Sequence, residues 1–241
     1  MNDFTFLSVG QLFGYDRLHI FNVIGTRSPI TDFYLLLGGE LFGFYWTRSD
    51  DNDGDALGVE EQGSIQKTNV SIRVGGARPA LSYSSISMIS SNKVRREDGI
   101  LEVEYGEYPQ KAASKKLQDE LERAFKNNLS SISKTGKTYT TDSTKTNQSY
   151  EKFKAQTIEE YLFENGKKYV RVEANKHVFR REFTLSNLED YRNGDYVWVE
   201  VQPIKWLIDE KKDIALSEKI LFAGVQFKHE RNYNGDFRTT D

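Results

Sequence analysis

A chain of 241 residues with 29% charged and 13% aromatic side chains can bury a core of its own, and that core must rest largely on Phe, Tyr and Trp. The absence of cysteine excludes a disulfide framework, a thiolate nucleophile and a cysteine zinc site. A formal charge of −3 argues against a general nucleic-acid binder, which needs a basic face. The opening MNDFTFLSVG has no basic segment before an apolar one, so it does not read as a signal peptide. The longest apolar run, at residues 33–37, is far short of the ~20 residues of a membrane span. A cytoplasmic protein with neither membrane nor nucleic acid as direct partner is the expectation.

Ser8 with Gln11 has capping-box spacing and predicts a helix over Val9–Phe13, stopped by Gly14. β-Branched and aromatic residues at 18–24 predict a short strand. Ser28-Pro29 puts proline where a first helical position belongs, so a second helix is expected from there to Gly38-Gly39. Residues 41–46 read as a buried strand. An acidic, turn-rich loop at 49–55 follows, with short strands at 59–66 and 70–74. Serine-rich residues 82–92 read as an extended connection and 93–99 (KVRREDG) as a linker.

The second half opens with a strand at 100–105, where Leu101, Val103 and Tyr105 alternate with charges. Lys115–Lys126 is the clearest helix: Leu117, Leu121, Ala124 and Phe125 share a face, with i,i+4 charge pairs opposite. Residues 130–149 are rich in Ser, Thr and Lys without periodicity and predict a long loop. Lys168–Glu173 and residues 196–201 alternate as strands, with a turn at Asn165-Gly166 before the first. In the second, Val197, Val199 and Val201 fall on one face, Tyr196 and Trp198 on the other, so both faces are buried in part. Pro203 makes 204–208 a bulged continuation or an edge strand. Short apolar runs at 214–216 and 220–222 follow, and 226–241 read as a loosely held tail.

Familiar chemical motifs fail on inspection. Gly136-Lys137-Thr138 lacks the glycine five residues before the lysine that a phosphate loop requires. The run Asp50-Asp51-Asn52-Asp53-Gly54-Asp55 suggests calcium, but an EF-hand register would put Ser49 first and no apolar helix flanks it. His19, His177 and His229 share no metal-ligand spacing, and no nucleophile elbow is present. No catalytic residue, metal or cofactor is therefore expected. Dispersed Asp and Glu leave one enzymatic alternative, because paired carboxylates are invisible in sequence.

Two sets of short motifs carry a family resemblance. One is Trp46-Thr47-Arg48-Ser49 with Gly75-Gly76-Ala77-Arg78-Pro79-Ala80-Leu81. The other is Tyr105-Gly106-Glu107-Tyr108-Pro109-Gln110 with Pro203-Ile204-Lys205-Trp206-Leu207-Ile208 and Ile214-Ala215-Leu216-Ser217-Glu218. Together they resemble an uncharacterised family of C-type-lectin-like domains in bacteria and their phages, distantly akin in fold to the formylglycine-generating, sulfatase-modifying enzymes. The resemblance covers about half the chain, with the motif order reversed. It implies one circularly permuted domain, with residues 1–95 as closing half, 100–225 as opening half and a loose tail to 241. The implied fold is α+β, a β-rich mixed sheet with a few flanking helices. The resemblance gives Trp46, Arg78, Tyr108, Trp198 and Trp206 structural roles, with Arg78 against a buried carboxylate. The cysteines and histidine triad of the related enzymes have no match here, so catalysis does not carry over.

The function expected from this reading is non-catalytic recognition of a protein or other macromolecule through surface loops, with Arg48, Asp50, Asp51, Asp53 and Asp55 at the contact. The alternative from another class is a phage inhibitor of a defence nuclease, anti-CRISPR-like, whose acidic stripe mimics phosphate. An acidic face would favour the inhibitor, and interleaved charges would count against it.

Overall fold

The computed structural model describes residues 5–13, 29–39, 43–50, 55–60, 63–69, 75–84, 93–97, 99–141, 155–175 and 191–223. The strands expected at 18–24 and 70–74, the tail from 226 and most of 82–92 lie outside them. Helices α1 (Val9–Phe13) and α2 (Asp32–Leu36) precede strands β1 (Tyr45–Asp50), β2 (Asp55–Val59), β3 (Ile65–Asn69) and β4 (Gly76–Ala77). β5 (Ala80–Ser82), β6 (Lys93–Arg95) and β7 (Leu101–Ala112) lead to α3 (Lys115–Lys126). β8 (Ile132–Thr141), β9 (Gln156–Phe163), β10 (Lys168–Glu173), β11 (Tyr196–Asp209), β12 (Ile214–Ser217) and β13 (Phe222–Ala223) complete the order. The fold is α+β and β-dominated.

β11 is the spine of the larger sheet because its YVWVEV alternation gives it two faces to bury. Val197, Val199 and Val201 enter the main core, while Trp198 turns to the opposite side under α3. One edge of β11 pairs with β10 in its first half and β12 in its second, and β7 runs along the other edge. Pro203 has no N–H to give the ladder, and the register slips between Pro203 and Lys205. Gln110 repairs the slip: its Nε2 donates to the carbonyls of Gln202 at 3.0 Å and Pro203 at 2.8 Å. The strand thus continues through the bulge, in the interior of the sheet.

α3 packs Leu121 and Ala124 against Tyr161, Phe163, Tyr169 and Trp198, and its Phe125 joins Tyr161 and Trp198 edge to face. Its Gln118 acts as a strand substitute, accepting from Trp198 N at 2.7 Å and donating to Trp198 O at 2.8 Å. Glu122 receives a fork from Arg171, at 2.9 Å to each oxygen, and the Trp198 indole N–H at 3.0 Å. The Arg171 bonds, aided by those from Trp198 and Lys126, hold the Glu122 carboxyl down at about 2.

One continuous sheet was expected, and there are two. The smaller runs β13-β4-β1-β2-β3, with β1 and β4 parallel, and the larger runs β5-β12-β11-β10-β9-β8, with β7 on β11 and β6 on β7. Trp46 belongs to the smaller and Tyr108 and Trp206 to the larger, yet the interior is shared. Phe33–Leu37, Tyr45 and Val59 join Val170, Val199, Leu207 and Leu216 in a single cluster. Two segments pass between the sheets side by side. β4 and β5, separated by two residues, pair with β13 and β12. Arg78 sits at that crossing, 3% exposed, with Nε donating to Ser217 O at 3.0 Å, one NH2 to Glu218 O at 3.3 Å and the other to Tyr45 OH at 3.3 Å. Two carbonyls and a phenol are thus among the groups held by this guanidinium.

Other departures have local causes. α2 starts three residues after Pro29, because Ile30 bridges Ile220 in extended backbone and Thr31 is the cap, accepting from Tyr34 N at 3.0 Å. The expected linker at 93–99 is the hairpin β6–β7, closed by Gly99 at φ 83°, and β6 is exposed throughout. Within the predicted loop at 130–149, residues 132–141 form β8, whose outward polar residues hide its strand character. β9 had no assignment in the sequence at all.

Two stability tests follow. Glu122 is lowered from 4.5 to about 2 in the folded chain, so its stabilisation is full above pH 4.5 and lost as the pH falls toward 2. Glu122→Gln should destabilise by about 1–3 kcal/mol at pH 7 and by roughly half as much or less at pH 3. Urea midpoints at the two pH values check this. Arg78→Met should cost about 3–5 kcal/mol, with Arg78→Lys recovering only part, since an ammonium cannot fork; chemical denaturation reads both.

Candidate functional site

The expected contact surface is rooted in the smaller sheet. β1 and β2 pair antiparallel, with Trp46 opposite Gly58 and Asp50 opposite Ala56, and a register slip between. The root is aromatic: Trp46 is 1% exposed and meets Phe44 edge to face at 5.0 Å. Glycine is required beside it, because a Cβ on Gly75 would stand 2.1 Å from the Trp46 indole nitrogen. Thr47 Oγ1 donates to Leu57 O at 2.7 Å and clips the two strands together. α1 braces the outer end. Its capping box forms as expected, with Gln11 N donating to Ser8 Oγ and Ser8 N to Gln11 Oε1. Val9 N then donates to Ser49 Oγ at 3.0 Å, and Arg48 N to Leu7 O at 3.1 Å.

Beyond this root Arg48 is exposed, Asp50 ends β1, and Asp55 begins β2 with Lys67 3.8 Å away. Asp51 and Asp53 lie outside the described residues, as do His19, His177 and His229. Among the described residues no three His, Asp or Glu side chains gather as a metal site. Gly136-Lys137-Thr138 falls within β8, with Gly136 at φ 86°.

The other structural residues stand as follows. Trp206 is fully buried and donates its indole N–H to Tyr105 O at 2.8 Å. Trp198 is buried under α3. Tyr108 bridges Phe33 at 5.6 Å and Tyr139 at 5.5 Å, edge to face in both cases.

Tyr139 leads to a polar cluster that sequence reasoning missed. Glu160, 2% exposed, accepts from Tyr139 OH at 2.7 Å and Thr135 Oγ1 at 2.9 Å, with Lys137 Nζ at 3.9 Å. The available signal was a charge at an inward position of QTIEEYLF, where Ile158 shares the face of Glu160. Burial pushes both phenols up, and for Tyr139 the Glu160 bond and charge add to the effect. Both hydroxyls are therefore donors at neutral pH, the wrong state for a base. Among the described carboxyls, Asp32 is raised by burial, yet its Oδ2 is engaged by Ala112 N at 2.7 Å. These acids fasten elements: the buried Glu160 holds β8, the half-buried Glu122 holds α3 and the buried Asp32 joins α2 to the end of β7.

No protein-family model, curated protein or solved structure matches the chain. Among the described residues no helix is long and apolar enough to cross a membrane.

If Glu160 fastens β8, Glu160→Leu strands two hydroxyls and should cost about 1–3 kcal/mol. The Tyr139 amide should then exchange with solvent faster than those of β10, by hydrogen exchange read residue by residue. Equal acceleration in both strands would contradict a local role.

Proposed function

We propose that this chain is a non-catalytic recognition protein of bacterial or phage origin, with a C-type-lectin-like domain in permuted order. It engages a macromolecular partner, a protein in our reading, in the cytoplasm. The contact element is the β1–β2 hairpin with Arg48, Asp50, Asp51, Asp53 and Asp55. One observation supports this above the rest: strands β1 and β2, which flank the acidic run in sequence, stand on a tightly packed base of Trp46, Phe44 and Gly75. Recognition elements work best when polar groups project from a rigid scaffold, because less is lost in ordering them on binding.

Two further observations bear on the alternatives. A nuclease inhibitor that mimics phosphate needs acidic side chains of one sign along a face. The larger sheet carries interleaved pairs instead: Lys134–Glu159, Lys167–Glu200, Lys168–Glu107 and Lys205–Glu102, at 2.5–2.8 Å. Such pairs cancel the long-range field that would imitate nucleic acid. A carboxylate enzyme needs two acids with divergent proton affinities facing one cavity, and the buried acids described above each serve a different junction.

The test is capture from a bacterial extract with immobilised wild-type chain and with Asp50, Asp51, Asp53 and Asp55 all changed to Ala. The variant should keep the fold, checked by its melting temperature beside that of wild type. It should bind the captured partner about tenfold more weakly, and the wild-type complex should weaken with salt. Retention of the same partner with the same affinity and salt dependence would place the contact elsewhere.

A further inference from the structure

A cleft of about 570 Å3 opens where α3 ends, bounded by Glu120, Arg123, Leu129, Ser130, Phe163 and Glu164. It lies on the larger sheet and shares no residue with the acidic hairpin. Three elements build it. α3 contributes Glu120 and Arg123 one turn apart, and the reversal after it, with Asn128 at φ 49°, presents Leu129 and Ser130. The β9–β10 turn brings Glu164, tied by its N–H to Ser131 O at 2.9 Å.

The cleft walls carry unspent chemistry. Glu120 is within reach of Lys116, at 3.9 Å. Among the described residues the Arg123 guanidinium and the Glu164 carboxylate make no hydrogen bond or ion pair, with each other or with a neighbour. Leu129, 45% exposed, offers an apolar surface in the same cleft. A guanidinium can only donate and a carboxylate can only accept. An occupant that satisfies both must carry an acceptor and a donor at its two ends, and an apolar group to cover Leu129.

We propose that this cleft binds a small zwitterion with an apolar side chain, its carboxylate on Arg123, its ammonium toward Glu164 and its side chain over Leu129. Free amino acids and short peptides share this chemistry. The volume is in the range of small-ligand sites, roughly 300–1,000 Å3, and exceeds what one amino acid fills, so a peptide of two or three residues is the better fit. The inference does not depend on the acidic hairpin, and either can fail alone.

The experiment titrates the full isotope-labelled chain with L-leucyl-glycine, with free L-leucine and with N-acetyl-L-leucine methylamide, whose ends are both neutral. Saturable amide shifts are expected at Ser130, Ser131 and Glu164, with the dipeptide tighter than the free amino acid. The capped compound should bind about tenfold more weakly, since two charge contacts are removed. Arg123→Gln and Glu164→Gln should each weaken the dipeptide about threefold, and each should reduce the advantage of the uncapped ligand. Absence of saturation by about 20 mM dipeptide, a capped ligand bound equally well, or shifts confined to other surfaces would each overturn the proposal.

Discussion

The fold turns on the place where two neighbouring segments leave one sheet and enter the other. Gly76–Ala77 pairs with Phe222–Ala223 in the smaller sheet, and Ala80–Ser82 pairs with Ile214–Ser217 in the larger. Between these ladders lie the carbonyls of the buried Ser217 and the half-buried Glu218. The Arg78 guanidinium donates to both and reaches Tyr45 of β1 at the same time. Thr31 closes the other side, its N–H donating to Ile220 O and its hydroxyl to Leu221 O. A buried charge is tolerated here because its donors are used, in a fork that only arginine supplies. Both sheets and α2 therefore meet on seven residues of chain, Ser217 to Ala223.

This crossing explains why one core cluster is shared although the sheets are two. Phe33–Leu37 lies at the centre of the shared cluster, held there by the Thr31 cap and by Asp32 on Ala112 N. Two further clusters lie outside it, one sealed by α3 and one around Val103, Ile204 and Trp206. Among the described residues the buried acids Asp32 and Glu160 fasten elements, whereas Asp209 keeps one carboxylate oxygen without a partner.

The sequence exposed those parts whose signal is local. The capping box at Ser8, the α3 periodicity and the inward valines of β11 were legible because each depends on neighbours within a turn or two of chain. Pro203 announced its bulge for the same reason. Failures came where tertiary contacts override local preference. Proline at 29 suggested a helix start, but pairing of Ile30 with Ile220 keeps that backbone extended. β8 was read as a loop because its outward face is Ser, Lys and Thr, and the residue that docks it is an acid on another strand. The charged run at 93–95 looked like a linker because charges on an outermost strand protect against unwanted pairing, a feature that conceals the strand itself. The acidic hairpin was visible as composition, whereas the α3 cleft, built from three separated segments, was not.

The central claim is that the two sheets form one cooperative body closed at the Arg78 crossing. Native-state hydrogen exchange on the wild-type chain tests it most directly, by comparing the slowest amides of β1 and β2 with those of β10 and β11. The account predicts the same opening free energy and the same denaturant dependence in both sheets, with the Leu221 amide, bonded to Ala77 O, among the slowest. Opening of the smaller sheet at a distinctly lower free energy, while β10 and β11 remain closed, would contradict it.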